Sequence, residues 1–107
     1  MEFVETHFFT RLILELLTDD EYRAIQLNLA KSPDQGKIIS GSGGLRKIRI
    51  AAMGKGKSGG ARIIYYWATS SARIYLLLAY PKNKKDDLSS EELALLKALM
   101  ERELGHG

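Results

Sequence analysis

Three basic residues are spaced so that they could act together on an anionic group. Lys47 and Arg49 are two positions apart in a segment that alternates with a period of two, so both side chains should leave the same face of a β-strand. Arg46 should point to the opposite, core-facing side. Arg62 begins the next predicted strand, paired across a hairpin, and adds a third positive charge nearby. Since like charges opposite one another destabilise a sheet, such a cluster is typical of a site for an anionic ligand, and an ordinary solvent-facing sheet surface is the alternative.

The distribution of charge along the chain favours the anionic ligand. Of the 16 Lys and Arg residues, 11 lie between Asp34 and Asp86, and none of the 13 Asp and Glu side chains lies between those two residues. The formal net charge of +3 therefore combines about +11 in this acid-free stretch with about −8 on the flanks, where five cations stand against 13 acids. This division predicts a polyanion-binding surface on a domain of otherwise mixed charge. Any carboxylate that neutralises the acid-free stretch must come from the flanks or from a partner.

The remaining composition limits the chemistry that is available. The chain has no cysteine, and its two histidines, His7 and His106, stand at opposite ends. These facts argue against disulfides, thiolate metal sites, a structural zinc and a histidine-based triad. We therefore expect no metal and no cofactor, and any chemistry would fall to Lys, Arg, Tyr or carboxylate side chains.

Length and the start of the chain predict one cytoplasmic domain, residues 1–107. A chain of 107 residues suits a single domain. No apolar run approaches the roughly 20 residues that span a bilayer, so no membrane partner is expected. Glu2 and Glu5 stand where a signal peptide would have Lys or Arg.

Hydrophobic periodicity predicts an α+β fold. The capping boxes that open the second and third helices pair Thr18 with Glu21 and Ser89 with Glu92. The order β-α-α-β-β-β-α predicts a small, mostly antiparallel four-stranded sheet with two N-terminal helices and one C-terminal helix, all packed on one face. Strands are expected at 3–6, 45–52, 61–69 and 73–80, and helices at 7–17, 18–32 and 89–104.

A loop rich in glycine and lysine, residues 53–60, separates the two strands that carry the basic residues. Gly56-Lys57-Ser58 looks like the end of a nucleotide-binding P-loop, but Ala51 stands where that motif needs glycine, and a strand follows instead of a helix. The loop is better suited to hold a nucleic-acid backbone through its glycine N–H groups, Lys55 and Lys57. A solvated hairpin tip is the alternative.

Aromatic residues follow the same alternation. Tyr66 is in phase with Arg62 and is therefore the candidate for stacking on a base, an interaction worth roughly 1–3 kcal/mol per base. Tyr65 and Trp67 should face the core instead. On the last strand, Tyr80 is in phase with Lys82.

Several runs of residues resemble a known family. They are Gly43 to Arg49, Gly54 to Tyr66, Tyr75 to Leu77 and Tyr80 to Asn83. Together they resemble the RelE/HigB toxins of type II toxin–antitoxin systems over essentially the whole chain, and the glycine–lysine loop is most similar to the HigB-like branch. The resemblance implies a RelE-like fold and a bacterial mRNA interferase that enters the A site of the 70S ribosome and cuts the bound mRNA. It also implies a cognate antitoxin, in this branch usually a helix-turn-helix protein.

The resemblance further implies which residues carry the reaction. Lys47 and Arg49 match two basic residues on the family's second strand, and Arg62 matches the arginine that opens its third strand. The founding toxins have an arginine and then a tyrosine after the last sheet strand, where this chain has Asn83 and Ser89. The usual proton donor is therefore missing from its expected position.

Metal-free cleavage of RNA gives each of these residues a role when the 2′-OH of the substrate is the nucleophile. Lys47 is the candidate base, and Arg49 and Arg62 would stabilise the phosphorane-like transition state. The candidate acids are Tyr80 and a lysine among Lys82, Lys84 and Lys85. Contacts with RNA or the ribosome are expected from Lys55, Lys57, Tyr66, Arg73, Lys84 and Lys85.

Three alternatives remain open at this point. One is a ParE-like toxin that blocks DNA gyrase without catalysis, although such proteins generally lack a concentrated basic face. Another is a noncatalytic RNA- or ribosome-binding module. The third is an inactive toxin paralogue, which the displaced proton donor would explain.

Overall fold

Five strands and three helices form the part of the chain that the computed structural model describes, residues 1–51, 60–82 and 87–105. In chain order they are β1 (Glu2–Glu5), α1 (His7–Leu16), α2 (Asp19–Lys31), β2 (Lys37–Ile38), β3 (Arg46–Ile50), β4 (Ala61–Ala68), β5 (Arg73–Pro81) and α3 (Ser90–Gly105). The predicted α+β class is confirmed, as are all three helices and the four predicted strands, with bounds that differ by a few residues.

The strands form one mixed sheet in the order β1-β5-β4-β3-β2. β1 runs parallel to β5, and the other neighbours are antiparallel. The prediction of four strands was one short, because β2 also belongs to the sheet. β2 has only two residues, Lys37 and Ile38, which pair with Lys47 and Arg46 at the edge. A pair of residues is too short to show any periodicity, so this strand had no signal in the glycine- and serine-rich connector.

The prediction that all helices pack on one face of the sheet was wrong. α1 and α2 cover one face, where the buried set is Phe9, Ile13, Leu16, Leu17, Leu29, Ile48, Ala61, Ile63, Tyr65, Ile74, Leu76 and Ala79. α3 covers the other face, which we call the α3 face, with a buried set of Leu45, Ile64, Leu77, Tyr80, Leu96 and Met100. The neighbours Ile63 and Ile64 on β4 point to opposite faces and are both fully buried. A strand that is apolar on both faces needs a layer on each side.

Side-chain caps fix where the helices begin. The Thr6 hydroxyl accepts a hydrogen bond from the N–H of Phe9 at 3.0 Å and donates one to the carbonyl of Leu77 at 2.7 Å, which ties α1 to β5. Both predicted capping boxes are confirmed, Thr18 with Glu21 at α2 and Ser89 with Glu92 at α3.

A β-bulge in β5 decides which way the end of that strand faces. The register shifts between Ile64 and Tyr65, which lie opposite Leu78 and Leu76, so Leu77 is the extra residue. Because a one-residue slip moves every later side chain to the other face, Leu78 and Tyr80 join the α3 face. Without the bulge, Tyr80 would point toward α1 and α2.

Candidate nucleic-acid interface

Strand pairing brings the basic residues of β3 and β4 together. Arg49 lies directly opposite Arg62, and Arg62 lies directly opposite Tyr80 on β5, so the three form one row across the sheet. Lys47 lies one side-chain step along β3 from this row, opposite Ile64. We call Lys47, Arg49 and Arg62 the cation cluster. All three project from the α3 face, since they alternate with Ile48 and Ile63 on the opposite face.

Arg62 is the most unusual member of the cation cluster because it is buried. Only 4% of its surface is exposed, and its neighbours along β4, Ala61 and Ile63, are buried as well. Within the ranges that the structure describes, Arg62 Nε has no hydrogen-bond partner. A buried cationic donor is costly unless an acceptor satisfies it. A phosphate oxygen would be a suitable acceptor.

Asp87 supplies a carboxylate to this basic face. Lys47 Nζ donates a hydrogen bond to Asp87 Oδ1 and forms an ion pair with it, across 40 positions of sequence. The hydrogen bond and charge of Lys47 hold the pKa of the Asp87 carboxyl below its usual value, and the charges of Arg62 and Arg49 act in the same direction. All three charges of the cation cluster therefore act on the Asp87 carboxyl.

Asp87 was missed as a site residue at the sequence level. The charge pattern predicted that any neutralising carboxylate must come from the flanks or from a partner, and Asp87 is on the C-terminal flank. Its place two residues before Ser89, the N-cap of α3, becomes a signal only once it is known that α3 covers the basic face. The start of a helix that packs on the α3 face must pass close to the cation cluster.

A groove beside β3 extends the basic surface toward the sheet edge. It has a volume of about 410 Å³ and is lined by Gln35, Lys37, Lys47, Ile48 and Arg49. Lys37 lies directly opposite Lys47 in the β2–β3 pairing and is exposed. Lys37 was not among the predicted site residues, because β2 itself was not predicted.

The predicted acids end up in different surroundings. Tyr80 is buried, with 5% of its surface exposed, and lies in the row with Arg62. Lys82 follows β5 and is exposed, with its backbone N–H donating to the carbonyl of Gly60 at 3.1 Å. Lys55, Lys57, Lys84, Lys85 and Asn83 lie outside the described residues.

Tyr66 and Arg73 belong to another part of the surface. Tyr66 is four residues from Arg62 along β4, which is about 13 Å in a strand. It is half-buried and packs against the buried residues of the α3 face. Both residues line a second groove, of about 610 Å³, at the hairpin end of the sheet. Arg73 Nε is also paired with Glu2 Oε1 at 2.6 Å. The structure therefore does not bring Tyr66 or Arg73 together with the cation cluster.

Three residues predicted to face away from the basic surface do so. Tyr65 is fully buried on the face that α1 and α2 cover, and Trp67 packs half-buried on the same side. Arg46 is turned away from the cation cluster, and its Nη1 donates to the carbonyls of Asp34 and Gly36 at 3.0 and 2.8 Å.

Neither a metal-binding group nor a membrane-spanning helix is found among the described residues. Across residues 1–51, 60–82 and 87–105, no group of three or more His, Asp or Glu side chains is arranged to hold a metal ion. In the same ranges, none of the helices has the length and apolar character needed to cross a bilayer.

Comparisons with known proteins agree with the sheet and its helices. The family described as "RelE toxin of RelE / RelB toxin-antitoxin system" matches residues 6–105. A chain of the intact E. coli RelBE toxin–antitoxin complex is similar over 73% of this chain and 92% of its own, with 13% identity and a TM-score of 0.57. A mutant of the E. coli toxin RelE in the free state is similar over 89% of this chain and 95% of its own, with 11% identity and a TM-score of 0.61. At these identities the two structures establish a shared fold.

Proposed function

We propose that this chain, which belongs to the RelE toxin family, is a metal-independent endoribonuclease that cuts mRNA on the ribosome. The observation that carries the proposal is the cation cluster, in which Arg49 lies opposite the buried Arg62 with Lys47 one step away on the same face. Three cations on one face of the sheet can contact a single phosphodiester. The proposal treats residues 1–107 as one toxin domain, and the HigB branch stays a prediction.

The reaction begins with the 2′-OH of the RNA itself. Its oxygen attacks the adjacent phosphorus in line, the bond from phosphorus to the 5′-oxygen of the next nucleotide breaks, and a 2′,3′-cyclic phosphate and a 5′-OH result. One group must accept the 2′-OH proton and another must protonate the leaving oxygen. No metal is needed, because the nucleophile is already part of the substrate.

Lys47 is the proposed base. Its ammonium group is engaged as a donor to Asp87, so it must leave that carboxylate and lose one proton before its nitrogen can accept the proton of the 2′-OH. An RNA phosphate that enters the cation cluster would take over the position of the carboxylate.

Arg49 and Arg62 are the proposed transition-state stabilisers. A guanidinium presents its donors in a planar fork that suits two phosphate oxygens at once. The Arg62 side chain is held by its buried surroundings, so little reorganisation is needed as negative charge develops. Removing one such donor typically costs on the order of 10²–10³ in rate.

Tyr80 and Lys82 are the two proposed acids. Tyr80 shares the row of Arg62 and reaches the α3 face only because of the bulge at Leu77. Lys82 lies just beyond β5 and is exposed. Their separate replacement by Phe and Met would identify which one protonates the 5′-oxygen.

The partners we propose are the 70S ribosome, mRNA in its A site and a cognate antitoxin of the helix-turn-helix type. One of the similar structures is a toxin–antitoxin complex, E. coli RelBE, which supports a cognate antitoxin for this chain. A basic toxin face with a net excess of cations suits both an RNA and an acidic inhibitor. The ribosome would orient the RNA and so lower the entropic barrier to attack.

The test is cleavage of mRNA on purified ribosomes that are stalled with an open A site. Primer extension would map new 5′ ends with the wild type and with Arg62→Ala. We expect cuts at one position in the A-site codon and a loss of at least about 100-fold in rate with the variant. Arg11→Ala, an exposed arginine on α1, is the matched control and should cut normally.

Two outcomes would count against the proposal. If expression of the chain in cells arrested growth but no new 5′ ends appeared on ribosomes, the noncatalytic toxin that blocks gyrase would be favoured. Ribosome binding without cuts would favour an RNA- or ribosome-binding module.

A further inference from the structure

Asp87 is an acid placed among cations that the reaction needs for RNA. Its carboxylate accepts a hydrogen bond from Lys47 and feels the charges of Arg49 and Arg62. No step of the proposed cleavage uses it. Its presence on this face therefore needs a separate explanation.

The start of α3 does not require Asp87 as its cap. Ser89 caps α3, and its hydroxyl accepts the N–H of Glu92 at 3.1 Å, so the helix has its N-cap without Asp87. The side chain of Asp87 is 71% exposed, whereas that of Lys47 is only 24% exposed. An exposed carboxylate can leave an ion pair and return to water at little cost. Another anion could therefore replace the Asp87 carboxylate at Lys47 at little cost.

We propose that Asp87 is a specificity residue that stands in for an RNA phosphate on Lys47. The free toxin then keeps its own anion on the cation cluster, and an RNA must displace that anion before its phosphate can reach Lys47. RNA that is held by the ribosome can do so, since further contacts hold it in place. Isolated RNA meets the competing carboxylate with fewer contacts. The inference rests on the proposed function for its ligand, RNA, and concerns binding only.

The expected size of the effect follows from the exposure of the pair. Exposed ion pairs are weak, so removing the Asp87 charge should tighten the binding of isolated RNA by about three- to fivefold at low salt. Salt screens the attraction between Lys47 and a phosphate, so the difference should shrink at high salt.

The test measures binding and leaves cleavage out. A fluorescent RNA with every 2′-OH methylated cannot be cut, and its anisotropy reports the dissociation constant with the full chain. Asp87→Asn removes the charge, Asp87→Glu keeps it, and Glu101→Gln removes an exposed acid from α3 at a distance from the cluster. We expect tighter binding with Asp87→Asn alone.

Three results would overturn the inference. The first is that Asp87→Asn binds RNA no more tightly than Glu101→Gln, including the case in which none of the proteins binds. The second is that Asp87→Glu binds as tightly as Asp87→Asn, which would show that the charge is irrelevant. The third is that Asp87→Asn binds with unchanged affinity but loses cleavage on ribosomes, which would make Asp87 part of the reaction. Failure of the proposed function would show as a wild type that does not cut mRNA on ribosomes, whatever the binding assay finds.

Discussion

Arg49 and Arg62 lie directly opposite each other on neighbouring antiparallel strands. Two like charges at such a position weaken the sheet, because their side chains are held close together. The same pair sits on the one face where Lys47 and Tyr80 also lie. The arrangement exchanges stability for a surface that can hold a phosphate.

Replacing Arg49 should therefore stabilise the protein and inactivate it. Arg49→Thr removes the repulsion and introduces a good strand former, so the free energy of unfolding should rise by roughly 0.5 kcal/mol. Ribosome-dependent cleavage should fall by about 100-fold because a donor to the phosphate is lost. Urea denaturation and primer extension measure the two effects, with Arg11→Gln as the control, since it removes an exposed charge from α1 and keeps a good helix former. A loss of stability would show that the Arg49 side chain makes a favourable contact.

Replacing Arg62 should also raise the stability of the protein and abolish its activity. Arg62→Met keeps much of the side-chain volume and removes a buried charge whose Nε has no partner among the described residues. Replacement of a buried charge by a well-packed apolar side chain is often neutral or stabilising by about 1 kcal/mol or more. We expect a higher midpoint of thermal unfolding together with loss of cleavage. Arg62→Lys, which keeps a charge, should show no such gain. A strongly destabilised Arg62→Met would mean that the guanidinium is structural.

The carboxyl of Asp87 should titrate below the usual range for aspartate, and Lys47 should be the main reason. Because the folded-state pKa is lowered, the ion pair contributes to stability above the ordinary pKa of about 3.9 and loses that contribution as the pH falls through the lowered value. Carbon-detected NMR titration of the side-chain carboxyl measures it directly. Lys47→Gln should raise the Asp87 pKa toward its ordinary value, whereas Lys37→Gln should leave it nearly unchanged. If the pKa of Asp87 were the same in Lys47→Gln as in the wild type, the ion pair between the two residues would not form in solution.

Local patterns predicted much of this architecture, whereas long-range pairing decided the rest. Alternation placed Lys47 and Arg49 on one face, and the spacing of Ser89 and Glu92 located the start of α3. These features depend on neighbouring residues only. The apolar runs of β4 and β5 require a layer on each face, but local patterns do not report which helix returns over which face.

The candidate site shows the same division. The face of Tyr80 depends on a bulge at Leu77, one extra residue whose position is set by the partner strand. Asp87 meets Lys47 across 40 positions, and no periodicity reports such a contact. Charge counting predicted that a carboxylate from the flanks could neutralise the basic face, and only the fold could select which one.

The turn before β2 should be stabilised by the hydroxyl of Tyr65. Tyr65 donates a hydrogen bond to the carbonyl of Pro33 at 2.8 Å and accepts one from the N–H of Gly36 at 2.8 Å, although its ring is fully buried. Tyr65→Phe would leave both backbone groups without this partner, so we expect a loss of about 1–3 kcal/mol in the free energy of unfolding. Gly36→Ala should destabilise as well, because a Cβ there would lie 2.6 Å from the Tyr65 oxygen.

Tyr66→Phe is the matched control for that experiment, since Tyr66 is a half-buried tyrosine on the α3 face, away from this turn. Urea denaturation of the three variants measures the effect, and hydrogen exchange at the N–H of Gly36 locates it. Fast exchange at Gly36 in Tyr65→Phe, with unchanged exchange in the centre of β4, would place the loss in the turn. Unchanged stability in Tyr65→Phe would mean that water replaces the hydroxyl there. The β2–β3 pairing and the hydrogen bond from Arg46 to Gly36 would then be what holds Lys37 beside Lys47.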